Sequence, residues 1–156
     1  MARFNREVQR SRSLRDRLID DGSGPQGSEF TYMRMVRESV QRDLSNLLNT
    51  RRDILELPPN LPAVNKSIAA YGVPDFSNAT LGASADVNRI RRAVEEAIRL
   101  FEPRLENVTV TLFPIKENER LLRFRIDAHL RVDQESEPVE FNAALRVSGS
   151  TFSVRE

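Results

Sequence analysis

The chain has 156 residues, with 24 basic and 23 acidic side chains, one histidine and no cysteine. That length suits one domain with a single buried core, and the missing cysteines exclude a disulfide framework, a thiolate metal site and a cysteine nucleophile. Only Lys66 and Lys116 are lysine, so 22 of the 24 basic residues are arginine. Arginine suits bidentate pairing with carboxylates, and its interleaving with acids leaves no basic face of the kind that nucleic acid requires. No run reaches the roughly 18 apolar residues of a membrane span, and the start carries no apolar leader, so no direct membrane insertion and a cytoplasmic location are expected.

In chain order, residues 1–20 hold six arginines and a short apolar pattern at Leu14, Leu18 and Ile19. This predicts an N-terminal arm with a short amphipathic helix, too brief to be stable unless it docks, either on its own domain or on a partner. Residues 21–28 contain three of the six glycines and read as a flexible linker. Residues 29–156 then read as a single domain. A helix is predicted over Thr31–Asn49 from Met33, Val36, Val40, Leu44, Leu47 and Leu48, with Arg51 and Arg52 placed to favour its carboxyl end. The prolines of Leu57–Pro62 turn the chain. A short helix to Ala70 follows, ended by Gly72 in a left-handed conformation.

The best-defined helix lies in Ala83–Leu105, with an apolar stripe at Val87, Ile90, Val94, Ala97, Ile98 and Phe101. Ser84 is the expected N-cap and Asp86 suits the first turn. Glu102 precedes Pro103, which ends the helix at a stiff corner, Glu102-Pro103-Arg104-Leu105. A carboxylate there faces the unfavourable pole of the helix dipole, at a cost of about 0.3–1 kcal/mol, and calls for a cation. Arg104 or a residue of a neighbouring subunit could supply it.

Beyond Leu105 the apolar period falls to two. Strands are expected over 108–113, 122–132, 139–147 and 151–155, with turns at Lys116–Glu119, Asp133–Pro138 and Ser148–Ser150. The fold class is therefore α+β, an antiparallel three- to four-stranded meander covered on one face by two main helices and one short helix. The last strand, with Thr151, Phe152 and Val154, is expected to leave one edge of its backbone unpaired and open to a strand from another chain.

The residues offer little catalytic chemistry. His129 sits on the polar face of its strand beside Asp127 and Arg131, without a second histidine for a metal, and no nucleotide-binding glycine loop or nucleophile elbow occurs. No cofactor is expected. Glu102 and Glu106 could be proposed as the carboxylate pair of a peptidoglycan glycoside hydrolase, but Arg104 lies between them and no tryptophan is present to line a sugar cleft. A regulatory adaptor on the same fold is a further alternative.

Three motifs in order, Leu48-Asn49-Thr50-Arg51, Tyr71-Gly72-Val73-Pro74-Asp75 and Glu102-Pro103-Arg104-Leu105, resemble the TssE family of type VI secretion baseplate components. That family is similar to the small wedge proteins of contractile-phage baseplates, once labelled lysozyme-like. The resemblance covers about residues 13–156 and extends to Leu14-Arg-Asp-Arg-Leu18 in the arm. It implies a non-enzymatic subunit at the inner-membrane-associated baseplate, beside TssF, TssG and TssK, which seeds polymerisation of the TssB–TssC contractile sheath. It further implies that Glu102, Pro103, Arg104 and Leu105 dock on a partner through ion pairing, with Thr151, Phe152 and Val154 pairing by strand and Leu14 and Leu18 contacting through the arm.

Overall fold

The structure, a computed structural model, describes Leu18 and residues 29–52, 60, 62–80, 83–114, 121–132, 135–146 and 149–155. Leu14, the linker at 21–28, most of the Leu57–Pro62 turn, the Lys116–Glu119 hairpin, Asp133 and Ser148 lie outside the described residues. The chain forms two compact units, Met1–Ser39 and Val40–Glu156. In the first, Leu18 is exposed, and Arg34 Nε lies 3.6 Å from Glu38 Oε1 one helical turn away.

Helix α1, Glu29–Asn49, begins in the first unit and ends in the second. Within the second unit its Val40, Leu44, Leu47 and Leu48 are almost fully buried, as their spacing of three and four predicts. A short helix α2, Pro62–Asn65, is separated from a 3₁₀ turn at Ile68–Ala70 by Ser67. The single short helix expected here is divided because the Ser67 hydroxyl donates to Val64 O at 2.7 Å and accepts from Ala69 N at 3.2 Å, which caps a new turn.

Helix α3, Ser84–Phe101, buries Ile90, Val94, Ala97 and Ile98 and packs on the first strand. Its N-cap is Ala83 and not Ser84, and no side chain caps it. Asp86 is used elsewhere: it accepts a hydrogen bond from Thr80 N at 2.9 Å and lies 3.5 Å from Arg89, so the preceding loop is tied to the first turn.

Strands β1 (Leu105–Leu112), β2 (Leu121–Val132), β3 (Glu135–Arg146) and β4 (Thr151–Arg155) form one antiparallel sheet in the order β1-β2-β3-β4. Leu122, Phe124, Ile126 and Leu130 of β2 and Phe141 and Leu145 of β3 are at most 1% exposed, so the alternation read from the sequence is the alternation between core and solvent. A bulge in β1 sets Glu106 opposite His129 and then Thr109 opposite Asp127. Asn107 takes φ 53° there, a conformation asparagine tolerates.

Strand β3 starts earlier than its sequence suggests. The expected turn through Pro138 is ladder instead, with Glu135 opposite Val132 and Pro138 opposite His129. Proline is tolerated because β4 covers only Asn142–Arg146, so at Pro138 β3 is an edge and the missing N–H breaks no bond on that side.

The outer edge of β4 is also not the open edge expected of a terminal strand. Asn49 of α1 receives a hydrogen bond from Phe152 N at 2.9 Å and gives one to Phe152 O at 3.0 Å. Gln41 Nε2 donates to Val154 O at 3.1 Å. Side-chain amides thus stand where the backbone of a fifth strand would be.

Candidate interaction site at the Glu102–Leu105 corner

At the end of α3 the Glu102 backbone leaves the helical region, with φ −122° and ψ 77°, while its N–H still donates to Ile98 O at 2.9 Å. Leu105 N donates to Glu102 O at 3.1 Å, closing a tight turn with exposed Pro103 at its second position, where the fixed φ of proline fits. Arg131 N donates to Arg104 O at 2.8 Å and joins the turn to β2. Leu105 is buried and opens β1.

The charges of this corner are turned inward. Glu102 is 4% exposed, and Arg104 grips it bidentately, Nε to Oε1 and Nη2 to Oε2, both at 2.7 Å. The same Nη2 donates to Asp43 Oδ2 of α1 at 2.7 Å. The cation demanded by a carboxylate at a helix carboxyl end is therefore Arg104 of the same chain. Hydrogen bonding to Glu102 is the main cause of the raised pKa of Arg104; desolvation opposes the rise and Asp43 adds to it. Tyr71 stacks edge-on against Phe101 at 5.3 Å, and its hydroxyl pKa is raised by burial and then by the negative charges of Asp43 and Glu102.

A second cluster explains the other two sequence motifs, which fasten to each other. Val73 N donates to Thr50 O at 2.9 Å and Arg52 N to Val73 O at 2.8 Å, a parallel bridge between the end of α1 and the Tyr71–Asp75 segment. Gly72, at φ +102°, passes so close to Thr50 that a side chain has no room. Arg51 does not serve the helix end as its position suggested: its Nη2 donates to Gly149 O at 3.1 Å, and its Nη1 lies 3.8 Å from Asp75. Asp75 also accepts from Ser77 N at 3.0 Å and from the Ser150 hydroxyl at 2.7 Å. Its pKa is lowered to about 2, chiefly by the Ser77 backbone bond, then by the serine hydroxyls and Arg51, with a small opposing desolvation.

Among the described residues, those singled out from sequence lie on different elements. Glu102, Arg104 and Leu105 form the corner with Pro103 at its apex. Phe152 and Val154 face the core, with Thr151 exposed between the strand and its turn. Leu18 belongs to the other unit, and Leu14 is outside the described residues. Asp43 was missed because nothing in a helix sequence points 61 residues ahead to Arg104. The two carboxylates of the hydrolase alternative are each held by a different arginine, Glu102 by Arg104 and Glu106 by Arg131 at 3.1 Å.

The class these features define is an α+β module, an antiparallel meander backed by a helix that ends in the Glu102–Arg104–Asp43 ion triad. The family model for "Baseplate wedge protein gp25" matches residues 34–135, more than half of the chain, and the chain belongs to that family. It is a structural baseplate subunit. Among solved structures, "The baseplate complex from the type VI secretion system" has a chain with 19% identity and a TM-score of 0.48, covering 70% of this chain and 93% of that chain. No curated protein matches the chain in sequence. Among the described residues, no helix is long and apolar enough to cross a membrane.

Proposed function

We propose that the chain is the wedge subunit of a type VI secretion baseplate, lying beside TssF, TssG and TssK at the cytoplasmic face of the inner membrane, and that it initiates polymerisation of the TssB–TssC sheath. Membership of the baseplate wedge family supports the structural role. The observation that carries the docking role is the corner itself, an exposed Pro103 on a turn made rigid by Arg104, Glu102 and Asp43. Such a corner presents a fixed shape and a partly exposed guanidinium, and preorganisation lowers the entropic cost of docking. Glu102 acts as a positioning residue. Strand pairing at Thr151–Arg155 requires that an incoming strand take over the bonds now made by Asn49 and Gln41.

The test is capture of partners from native cells by tagged wild-type and Pro103→Trp chains. Pro103 is exposed, so the variant is expected to keep its fold, which its circular-dichroism spectrum checks. The wild type is expected to bring down TssF, TssG and TssK, and the variant to lose them and leave sheaths unassembled. Full capture and normal sheaths with Pro103→Trp would remove the corner from the mechanism.

A further inference from the structure

The sheet has two edges, and they are not closed alike. Strand β4 is covered by the amides of Asn49 and Gln41, while β1, at the opposite end of the order β1-β2-β3-β4, is guarded over only part of its length. Phe113 N donates to Arg123 O at 2.9 Å, so Phe113 and, by the alternation of an antiparallel ladder, Thr111 and Thr109 turn their N–H and C=O groups toward β2. Val108, Val110 and Leu112 turn theirs outward. Arg99 of α3 fits the same parity: its Nη2 donates to Val108 O at 3.0 Å from outside the ladder, with Glu95 2.6 Å from the same nitrogen. The bulge at Asn107 blunts the edge before that point. Past it, among the described residues, no hydrogen bond reaches the outward groups of Val110 or Leu112.

Edge strands are ordinarily guarded by charge, proline or a bulge. Residues 108–113, Val-Thr-Val-Thr-Leu-Phe, carry no charge and no proline, and Pro114 follows. Thr109, Thr111 and Phe113 lie on the solvent face, Phe113 with 41% of its surface exposed, and Val108 and Val110 are buried on the other face.

We propose that this edge pairs antiparallel with the same edge of a second copy of the chain, around a twofold axis at Thr111, independently of any pairing at β4. In that register Val110 falls opposite Leu112 of the second copy, and each gives its N–H to the other's C=O, twice over by symmetry. Val108 falls opposite Pro114. The proline has no N–H to give, and the Val108 oxygen that would receive it is already engaged by Arg99. The neighbouring register, with Val110 on the axis, instead aims the Leu112 N–H at that engaged oxygen. A strand of any sequence finds the backbone groups of Val110 and Leu112; this chain's own edge also sets a proline where no donor is wanted, which argues for a second copy. On the solvent face Thr111 meets Thr111, and Phe113 meets Thr109, pairs that stabilise antiparallel sheets. Arg125, beside Thr111 on β2, lies three strand spacings from its symmetry mate, about 14 Å, beyond the roughly 8 Å screening length of physiological salt. Their repulsion costs little.

The chain contains no cysteine, so one introduced thiol reports the register. Full-length wild type is expected to pass from monomer to dimer in sedimentation velocity as its concentration rises. Thr111→Cys, at the axis, is expected to form a disulfide-linked dimer under mild oxidation at least tenfold faster than Thr109→Cys, whose two copies lie four residues apart along the strands, about 14 Å. Leu112→Pro removes an outward N–H without touching the bonds to β2, and is expected to weaken dimerisation roughly tenfold. Its melting temperature checks the fold; if it unfolds, the cysteine variants decide alone, since both replace exposed threonines. A wild type that stays monomeric at every concentration would overturn the proposal, whether or not a strand of another protein takes the edge. So would a dimer in which Thr109→Cys cross-links as fast as Thr111→Cys, or one that a folded Leu112→Pro leaves intact.

Discussion

Gly72 is the residue whose identity the backbone dictates most strictly. An added Cβ would lie 2.3 Å from Thr50 O and 2.9 Å from Thr50 C, and φ is +102°. Gly72→Ala is therefore expected to cost roughly 2–4 kcal/mol in urea unfolding, by strain and by prising Thr50 from Val73. Gly149→Ala is the control: its Cβ would meet only Thr151 Oγ1 at 3.4 Å, and stability should hardly change. Asp75 makes a second residue-level prediction. Its carboxyl is lowered from 3.8 to about 2. A depressed carboxylate contributes stability that is present above its unfolded value and lost as pH falls through the folded one. Asp75→Asn should thus be less stable than wild type at neutral pH, with the difference closing between about pH 4 and pH 2. Urea midpoints of both proteins across that range provide the measurement. A constant difference would mean that Asp75 acts through shape alone.

At the scale of elements, periodicity carried most of the fold. The stripe in Ser84–Phe101 and the alternation in Leu121–Val132 are strong because each element has one buried side, and burial is what the pattern records. Legibility failed where a contact, and not a period, decides the outcome. Pro138 reads as turn, and only the short reach of β4 makes it an edge position where proline costs little. The edge of β4 reads as open, and it is closed by Asn49, 103 residues before Phe152, together with Gln41. The pairing of Asn49 with both polar groups of Phe152 yields a prediction. Asn49→Ala leaves a strand N–H and C=O without that partner at a sheet edge, a surface that invites pairing with another chain. Asn49→Ala, combined with Gln41→Ala, should raise the fraction of self-associated protein in sedimentation velocity relative to wild type. If strand pairing initiates assembly as proposed, the same double variant should also nucleate sheath proteins faster. Self-association without faster nucleation would identify the two amides as guards of solubility only.

For the molecule as a whole, the charged corner bears on stability and, in the function proposed above, on assembly, and the two effects must be separated. Glu102 and Arg104 were legible because a proline-terminated helix ending in a carboxylate demands a nearby cation. Asp43 was not, and it changes what a substitution at Glu102 means. Glu102→Ala removes both bonds of the bidentate grip from the half-buried Arg104, so it should cost about 1–3 kcal/mol. That loss is survivable for a domain of ordinary stability, about 5–15 kcal/mol, and the monomer should still fold. Loss of assembly in Glu102→Ala could therefore come from the charge itself or from a guanidinium no longer held in place. Asp43→Ala distinguishes these. It keeps the Glu102 carboxylate and its bidentate bonds but frees the Arg104 Nη2 bond that ties the corner to α1. If the corner works by presenting an oriented Arg104 beside Pro103, Asp43→Ala should impair capture of baseplate partners nearly as much as Glu102→Ala at matched folded fraction. Full capture by Asp43→Ala, with none by Glu102→Ala, would show instead that the carboxylate meets the partner directly, which at 4% exposure requires the corner to open on binding.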